Sequence, residues 1–363
     1  MQGSDAEGTR KIHSVSYRIA LLPGDGVGAE VVAEARKVLG ALGAGIEFTE
    51  LDWGADRWHQ TAEMMPADWE SILRSHDAGV LGACGHPSVP DHISLWKMIL
   101  PIRQRLDLWA NVRPVRLLEG VPTPLVGRGP TDIDMVFVRE NSEGEYSGVG
   151  GRVHQGLPEE VGIETSVFTR HAVERVVRHA FGLAETRRGL LTSATKSNAS
   201  RYGYVLWDEV AAEVAAEHPG VRYERVLVDA LAARMVRNPE SLDVVVASNL
   251  LGDILTDLAA AIQGGMGTAA SANVAPEGDA PGLFEPVHGS APDIAGQGIG
   301  NPTGAIWSVA LMLEHLGEAD AGACVMRALE DICREGPRTR DVGGAAKTAE
   351  VGDAVAARVA AAA

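Results

Sequence analysis

Cysteine is scarce in this chain of 363 residues, which contains only three. They are Cys84, Cys324 and Cys333, and no two of them form a CxxC pair. An odd number of cysteines without paired spacing is typical of free thiols in a reducing compartment, and it argues against a disulfide-stapled scaffold.

Uninterrupted apolar segments are also missing. Nowhere do about 18 apolar residues follow one another without a charge, which argues against a transmembrane helix. Residues 1–17 mix glycine, serine and charged residues and lack the apolar stretch of a secretory signal. We therefore predict a cytoplasmic protein in which residues 1–17 form a loose tail.

Basic residues are outnumbered, because 32 lysines and arginines stand against 49 aspartates and glutamates, for a formal net charge of −17. Nucleic acids and anionic membranes attract proteins through clustered lysine and arginine. Neither is therefore an expected partner, and a small anionic ligand would need a local basic pocket. The chain length exceeds what one hydrophobic core usually supports and predicts two domains.

Apolar runs alternate along the chain with longer amphipathic segments. A run over 18–22 precedes a helical pattern over 29–42, and a run over 243–248 precedes one over 253–262. This alternation predicts the strands and crossover helices of an α/β protein. The run VVVAS is apolar on both faces, which favours a parallel sheet covered by helices on both sides. Ligands of such sheets usually bind at the carboxyl ends of the strands.

Two further segments carry structural predictions. Residues 139–169 are glycine-rich and then β-prone, which indicates a loop leading into an extended arm that could pair with a second chain. Residues 354–363 are rich in alanine and predict a terminal helix that frays.

Two carboxylates, Asp253 and Asp257, lie four residues apart in SNLLGDILTDL. This spacing places both on one face of a helix, as half of an oxygen-rich site for Mg²⁺ or Mn²⁺. Asp229, which follows another β-rich run, is the candidate third ligand. Alternatively, Asp253 only interacts with the helix dipole while Asp257 faces solvent. The spacing alone gives the two interpretations equal weight.

Three arginines, Arg103, Arg113 and Arg139, form a second group of candidates. A guanidinium binds a carboxylate through two parallel hydrogen bonds, so converging arginines would suit a dicarboxylate. Each arginine taken alone is more often part of a surface salt bridge. Only their convergence would define a pocket, and spacing does not show it.

Glycine-rich segments give a weaker signal. LLPGDGVGAEV predicts a tight turn from strand to helix but lacks the GxGxxG spacing. Residues 284–302 are dense in glycine and proline and have neither a helical nor a strand period. A long loop of this kind inside a compact domain is usually functional.

Six motifs occur in a fixed order: GDGVGAEV, RENSEGEYS, TKSN, VDALAARMV, SNLLGDILTDL and EPVHGSAPDIAG followed by NP. Together they make residues 19 to about 316 similar to the β-decarboxylating dehydrogenases, which include isocitrate, isopropylmalate, homoisocitrate and tartrate/D-malate dehydrogenases. The resemblance implies a two-domain α/β fold of the isopropylmalate dehydrogenase type, with a mixed, largely parallel central sheet flanked by helices, and not the usual Rossmann fold. It further implies a large cofactor-binding domain (18–110 and 266–363) and a small dimerisation domain (111–265) with an arm around 140–168.

The resemblance also implies roles for individual residues. The acid–base pair would be Lys196 and Tyr146. Substrate carboxylates would be bound by Arg103, Arg113 and Arg139, and Mg²⁺ or Mn²⁺ by Asp229, Asp253 and Asp257. Lys196 and Asp229 would come from the neighbouring subunit of a homodimer. The cofactor would be NAD, and K⁺ is a further candidate ion. The residues implied to bind NAD are His288, Gly289, Ser290, Ala291, Asp293, Asn301 and Asn198.

The implied mechanism uses these groups in sequence. A divalent cation makes the substrate 2-hydroxyl more acidic, Lys196 accepts its proton during hydride transfer, and Tyr146 protonates the enolate left by loss of CO₂. Asp293 is expected on the adenine ribose, where a carboxylate accepts hydrogen bonds from the free hydroxyls of NAD and would repel the 2′-phosphate of NADP.

The segment VPDHISLW is similar to the tartrate/D-malate branch, so the predicted activity is oxidation and decarboxylation of a malate- or tartrate-like 2-hydroxy acid. Departures at Pro101, Leu251 and Ala270 leave open 3-isopropylmalate or another 3-substituted malate. In a helix, Trp96, Ile99, Leu100 and Arg103 would share a face toward the pocket, and Pro101 is expected to reshape that wall. The full set of arginines, acids and acid–base residues argues against a non-catalytic regulatory subunit or a simple dicarboxylate-binding protein.

Overall fold

The computed structural model describes residues 16–43 and 45–362, so nearly all of the predicted tail over 1–17 lies outside the described residues. The β-strands β1 to β12 span Tyr17–Gly24, Ile46–Glu50, Ala78–Ala83, Ala110–Arg116, Asp134–Glu140, Gly144–Val153, Val161–Val167, Leu190–Thr195, Arg222–Leu227, Val244–Ala247, Ala270–Val274 and Gly282–Pro286. The α-helices α1 to α12 span Gly28–Ala41, Ala55–Thr61, Trp69–Arg74, Asp91–Ser94, Leu100–Arg105, Arg170–Thr186, Gly203–Glu217, Val228–Arg237, Asn249–Ile262, Thr303–His315, Ala319–Glu335 and Thr348–Ala362.

Ten strands form one sheet in the order β2-β1-β3-β12-β11-β4-β5-β10-β8-β9. The pairs toward both edges are parallel. The three antiparallel pairs, β12–β11, β11–β4 and β4–β5, lie in the middle. The sheet is therefore mixed and largely parallel, as predicted. All four residues of β10 are buried, because helices cover both of its faces.

The sheet takes strands from both of the predicted domains. Strands β1, β3, β11 and β12 come from the segments predicted as the large domain, and β5, β8, β9 and β10 from the segment predicted as the small one. The β4–β11 pair joins the halves, and one hydrophobic cluster contains residues from both. The domain boundaries themselves stay a prediction.

Strands β6 and β7 form a separate two-stranded antiparallel sheet. This hairpin lies where the sequence predicts an extended arm. Its apolar side chains are turned outward, with relative exposures of 50% for Val149, 52% for Val153, 55% for Leu157, 45% for Val161 and 55% for Ile163. A row of exposed apolar side chains on a hairpin is typical of a surface that another chain covers.

The terminal helix differs from the prediction of a fraying end. Helix α12 begins at Thr348, and its Val351, Val355 and Val359 are spaced four residues apart and buried. Burial of this valine stripe against α1 and α11 anchors the helix to the core. Within the described residues, no helix is long and apolar enough to cross a membrane.

Helix α1 carries two glycines in opposite surroundings, and they provide a test of the packing. A Cβ added to Gly28 would lie 2.2 Å from the Pro23 carbonyl oxygen and 2.7 Å from the Ala83 nitrogen, whereas one added to Gly40 meets nothing within 4 Å. We expect Gly28→Ala to lower the free energy of unfolding by about 1–3 kcal/mol through overpacking. Gly40→Ala should raise it by about 0.5–1 kcal/mol, since alanine suits a helix better than glycine. Denaturant titrations of both variants measure this, and equal unfolding free energies would contradict the packing of β1, α1 and β3.

Candidate active site

Strand register explains how two of the predicted arginines meet. In the antiparallel pair β4–β5, Asn111 lies opposite Arg139. Side chains alternate along a strand, so Arg113 projects on the same face as Asn111 and therefore beside Arg139. Arg103 approaches the same place from α5. The structure thus brings the three arginines together, which spacing alone did not show.

The three arginines line a cavity of about 200 Å³ together with Tyr146 and Asp253. All three are nearly inaccessible to solvent, with relative exposures of 6% for Arg103 and Arg113 and 2% for Arg139. Three buried guanidinium groups in a protein of net charge −17 create a local basic pocket of the kind that a small anion requires.

Each buried arginine has protein acceptors. Arg139 donates to Asp253 and, at 2.7 and 3.0 Å, to the Asn249 amide oxygen. Arg113 donates to Asn111 Oδ1 at 2.7 Å and to Thr256 Oγ1 at 2.6 Å. Arg103 donates to Glu285 at 2.9 Å. Burial lowers the pKa of Arg139 to about 10, which still leaves the group charged at neutral pH.

A buried asparagine network supports these arginines from the middle of the sheet. Asn111 Nδ2 donates to Asn273 Oδ1 at 2.8 Å, and Asn273 Nδ2 donates to Glu285 at 2.8 Å. The network therefore connects the acceptor of Arg113 with the acceptor of Arg103. Sequence reasoning missed both asparagines, because they lie 162 residues apart in the chain.

Asp253 and Asp257 share one side of α9, as their spacing predicts. Burial alone would raise the pKa of Asp253, but the charges of Arg139, Arg113 and Arg103 outweigh it and hold the pKa below its ordinary value. Burial and the Asp253 charge raise the pKa of Asp257, whose nearest cation is Arg113 at 3.9 Å. Two carboxylates on one side of a helix, of which Asp257 makes only a long ion pair, are a donor set that a hard divalent cation fits.

Tyr146 extends from β6 toward Asp253. Its hydroxyl lies 3.4 Å from Asp253 Oδ2, and the Arg139 guanidinium carbon lies 5.7 Å from the centre of its ring. Burial raises the pKa of the Tyr146 phenol, and the Asp253 charge raises it further. The phenol is therefore protonated at neutral pH and can serve as a proton donor.

Three predicted site residues lie elsewhere on the chain. Lys196, at the end of β8, donates to Asp229, at the start of α8, over 2.6 Å, and both side chains are substantially exposed. Asn198 lies on the loop after β8, beside a groove between α7 and β9. None of the three lines the arginine cavity. In the described part of the chain, no cluster of three potential metal ligands forms.

A second cavity, of about 450 Å³, adjoins the first. His288 lines both cavities, and Ala291 and Asn301 line the second. Asp341 also lines it and accepts a hydrogen bond from Asn301 Nδ2 at 2.9 Å. Burial lowers the pKa of His288, so the ring is neutral. Sequence reasoning missed Asp341 and its neighbour Arg340, since the segment RTRDVGG shows no motif spacing on its own.

The other predicted cofactor residues lie in the glycine- and proline-rich segment over 284–302. Gly289 lines the arginine cavity. Asp293 is exposed and lines neither cavity, although Ala291 and Ile294 on either side of it in the chain line the second. Ser290 faces the glycine-rich turn, because its carbonyl accepts the Val27 N–H at 2.9 Å. Gly26 has φ +59°, and a Cβ there would lie 2.0 Å from that carbonyl oxygen. The GDGVG turn therefore supports the loop by close backbone packing.

The wall near Pro101 differs from the predicted helical face. Residues Leu95–Ile99 form a π-helical turn in which the Leu100 N–H donates to the Leu95 carbonyl, five residues back. Pro101 cannot donate a backbone hydrogen bond, and the wider turn before it shifts the register of the helix. As a result Leu95 and Ile99 line the cavity with Arg103. Trp96 packs against Gly148 instead, and Leu100 is buried in the core.

Cys84 also lines the arginine cavity. Burial raises the pKa of its thiol to about 12, and Sγ lies 3.7 Å from the Ser94 carbonyl, to which it donates. The thiol is therefore protonated at neutral pH and is not a nucleophile. All three cysteines are free, as predicted.

A family model described as isocitrate/isopropylmalate dehydrogenase matches residues 18–355. The chain belongs to this family, and the resemblance drawn from its six motifs is confirmed. It is 53% identical to the probable tartrate dehydrogenase/decarboxylase TtuC' of Agrobacterium vitis over 345 residues, 93% of this chain and 96% of that protein. It is 49% identical to 3-isopropylmalate dehydrogenase of Thermobifida fusca (strain YX) over 350 residues, 95% of this chain and 98% of that protein.

A solved structure shares the architecture. The crystal structure of isocitrate dehydrogenase from Methylococcus capsulatus superposes with a TM-score of 0.86 at 36% sequence identity, covering 94% of this chain and 99% of that one. The predicted fold type, an α/β protein of the isopropylmalate dehydrogenase kind, is confirmed.

Arginines 103 and 105 on α5 allow a matched test of the pocket. Arg103 is buried in the cavity, whereas the side chain of Arg105 is 68% exposed and pairs with Glu70. We expect Arg103→Met to weaken binding of D-malate about 10- to 100-fold, since a hydrogen bond between charged groups contributes about 1.5–3 kcal/mol. Arg105→Met should leave the affinity within about twofold. Calorimetric titration of both variants decides this, and equal affinities would show that Arg103 does not contact the ligand.

Proposed function

We propose that this protein catalyses the metal-dependent, NAD-linked oxidation and decarboxylation of a malate- or tartrate-like 2-hydroxy acid. The observation that carries the proposal is the convergence of Arg103, Arg113, Arg139, Tyr146 and Asp253 on one cavity of about 200 Å³. A cavity of this size suits an acid of four or five carbons, and its three cations suit two carboxylates. The 53% identity with a probable tartrate dehydrogenase/decarboxylase supports the same substrate class.

The cofactor assignment rests on the second cavity. Its apolar residues, such as Val27, Ile294 and Ile299, could cover an adenine ring, and the Asp341 carboxylate could accept hydrogen bonds from ribose hydroxyls. NAD bound there would supply the hydride acceptor. Because His288 belongs to both cavities, the nicotinamide end would meet the substrate beside the neutral imidazole. Acidic groups at Asp341 and Asp293 favour NAD over NADP, whose 2′-phosphate they would repel.

The metal assignment rests on the donor set on α9. Asp253 and Asp257 would hold Mg²⁺ or Mn²⁺, and Asp229 of a second copy would complete the protein ligands. A divalent ion in this position would supply Lewis acidity toward the 2-hydroxyl and the ketone derived from it. Arg139 and Arg113 balance the carboxylates in the isolated chain.

The chain's own groups have distinct tasks in this scheme. The three arginines fix the orientation of the substrate carboxylates, and the surrounding apolar wall of Leu95 and Ile99 excludes water. Tyr146 keeps its proton at neutral pH and would deliver it to the enolate carbon after CO₂ leaves. Lys196 of the second copy would accept the proton of the 2-hydroxyl, and Asp229, 2.6 Å away in the same chain, orients its ammonium group.

Two separate observations support a homodimer with shared active sites. Lys196, Asn198 and Asp229 do not line the arginine cavity of their own chain, so in this scheme a second copy supplies them. The β6–β7 hairpin exposes five large apolar side chains, which an extended contact with a second copy would bury.

A 3-substituted malate, such as 3-isopropylmalate, is the second candidate substrate. The observation that favours it is the apolar side of the cavity, formed by Leu95, Ile99 and Cys84, which could bury an alkyl group. The 49% identity with a 3-isopropylmalate dehydrogenase is compatible with this alternative.

The proposed activity is tested by NADH formation from D-malate, L- and meso-tartrate, isocitrate and 3-isopropylmalate. We expect turnover of D-malate or a tartrate with Mn²⁺ or Mg²⁺, loss of activity after chelation, and at least tenfold higher kcat/KM with NAD than with NADP, or about 1.4 kcal/mol. Asp253→Asn should lower activity severely, while Asp331→Asn, on the distant helix α11, should not. If 3-isopropylmalate reacted best, the alternative would replace the first substrate assignment. Full activity without metal would refute the metal assignment.

Mixing two severely impaired variants tests the shared site. Lys196→Met and Tyr146→Phe should each keep only a small residual activity as homodimers, because each loses one group of the acid–base pair. If Lys196 serves the opposite subunit, heterodimers contain one intact site, and randomly exchanged subunits should recover about a quarter of the wild-type activity. Purified heterodimers that remain inactive would contradict the shared site, and isolating heterodimers by two different affinity tags provides the control for subunit exchange.

A further inference from the structure

The Glu145 carboxylate accepts hydrogen bonds from groups on two other parts of the chain. Tyr204, near the start of α7, donates its phenolic proton to it. Ser248 Oγ, at the start of α9, donates at 3.0 Å, and the Leu250 backbone N–H donates at 3.0 Å. Tyr204 and Ser248 are themselves 6% and 1% exposed, so these contacts lie in the interior.

One of these contacts caps the helix that carries Asp253. The first N–H groups of a helix have no partner within the helix and are usually satisfied by a capping side chain. Ser248 occupies the N-cap position of α9 but makes no side-chain capping bond. Glu145 takes over this task from β6, and its negative charge suits the positive end of the helix dipole. Asp253 follows Leu250 by about one turn.

The same residue fixes the strand that carries Tyr146. Glu145 is directed toward α9 and α7, where its hydrogen-bond partners lie, while Tyr146 lines the arginine cavity. Glu145 lines neither the arginine cavity nor the second cavity. The Tyr146 hydroxyl lies 3.4 Å from Asp253 Oδ2. The hydrogen bonds of Glu145 therefore connect the two backbone segments that carry this pair.

We propose that Glu145 is a positioning residue that holds Tyr146 against Asp253 by fastening β6 to the first turn of α9. For its effect on catalysis this inference rests on the proposed function, in which Tyr146 delivers a proton. Glu145 does not touch the substrate in this arrangement, so its removal should act on turnover through Tyr146.

Glu143 offers a matched control on the same segment. Its carboxylate accepts the Thr169 hydroxyl at 2.9 Å and the Thr169 N–H, and so fastens the base of the hairpin to α6. Its carboxylate makes no hydrogen bond with α9, and the Asn249 amide of α9 donates only to the Glu143 backbone carbonyl, at 3.0 Å. A general loosening of the hairpin would follow from removing either glutamate, whereas misplacement of Tyr146 relative to Asp253 should follow only from removing Glu145.

The test compares Glu145→Ala, Glu145→Asp, Glu145→Gln and Glu143→Ala with the best hydroxy acid of the wild-type enzyme. We expect Glu145→Ala to lower kcat by at least about tenfold with KM changed by less than about threefold, the pattern of a lost transition-state interaction. Glu145→Asp keeps the charge but withdraws it by one methylene, and should lower kcat by about three- to tenfold. Glu145→Gln should keep most of the wild-type kcat. Its amide oxygen can accept the Leu250 N–H, and its amide NH₂ can donate to the hydroxyls of Tyr204 and Ser248. Glu143→Ala should stay within about twofold.

A double variant separates positioning from general damage. In a Tyr146→Phe background, Glu145→Asp should reduce the residual rate by less than about twofold, because residues that act through one another are not additive. Equal reductions in both backgrounds, or a Glu145→Gln enzyme as impaired as Glu145→Asp, would overturn the proposal.

Backbone amide exchange gives a readout that does not depend on activity. The Leu250 amide should exchange faster in Glu145→Asp and at the wild-type rate in Glu143→Ala. Unchanged protection of Leu250 in Glu145→Asp would refute the cap. A wild-type protein that oxidised none of the acids would overturn the proposed function alone, and the exchange measurement would still decide whether Glu145 fastens β6 to α9.

Discussion

The need to compensate three buried guanidinium groups governs the arrangement of the whole site. A buried charge without partners costs several kcal/mol, so each arginine must find acceptors whose positions the fold already fixes. Asp253 and Asn249 on α9 meet Arg139, Thr256 on α9 meets Arg113, and Glu285 on β12 meets Arg103. Strands and helices distant in sequence are thereby held in one register around the cavity. A dicarboxylate entering this place would find cations that are already oriented.

Much of the fold could be predicted from local patterns. The run over 18–22 lies in β1, the run over 243–248 contains β10, and the helix with Asp253 and Asp257 begins only four residues before the predicted start. These predictions succeeded because buried parallel strands and amphipathic helices leave a periodic record in the sequence. The alanine content of the terminal helix predicts a frayed end, whereas the buried valine stripe at 351, 355 and 359 anchors it.

The candidate site could be predicted as a set of residue types, and its spatial grouping could not. The motifs identified the arginines and acids, but only the strand register shows that Arg113 and Arg139 project side by side. Asp341 joins Asn301 across a separation of 40 residues, and no local pattern records that contact. The wall residue Leu95 was missed for another reason, since the π-helical turn before Pro101 changes the helical register on which the prediction depended.

The central β4–β11 pair affects how this molecule can move and unfold. Buried hydrogen bonds from Asn111 to Ser271 and Asn273, at 2.7 and 2.8 Å, cross this seam, and the largest hydrophobic cluster lies on both sides of it. The two halves of the chain therefore cannot part as independent bodies on a flexible tether. Their relative motion is confined to twisting within a continuous sheet, and heat or denaturant that opens one half removes support from the other. Loss of structure should thus spread across the seam as a single cooperative event.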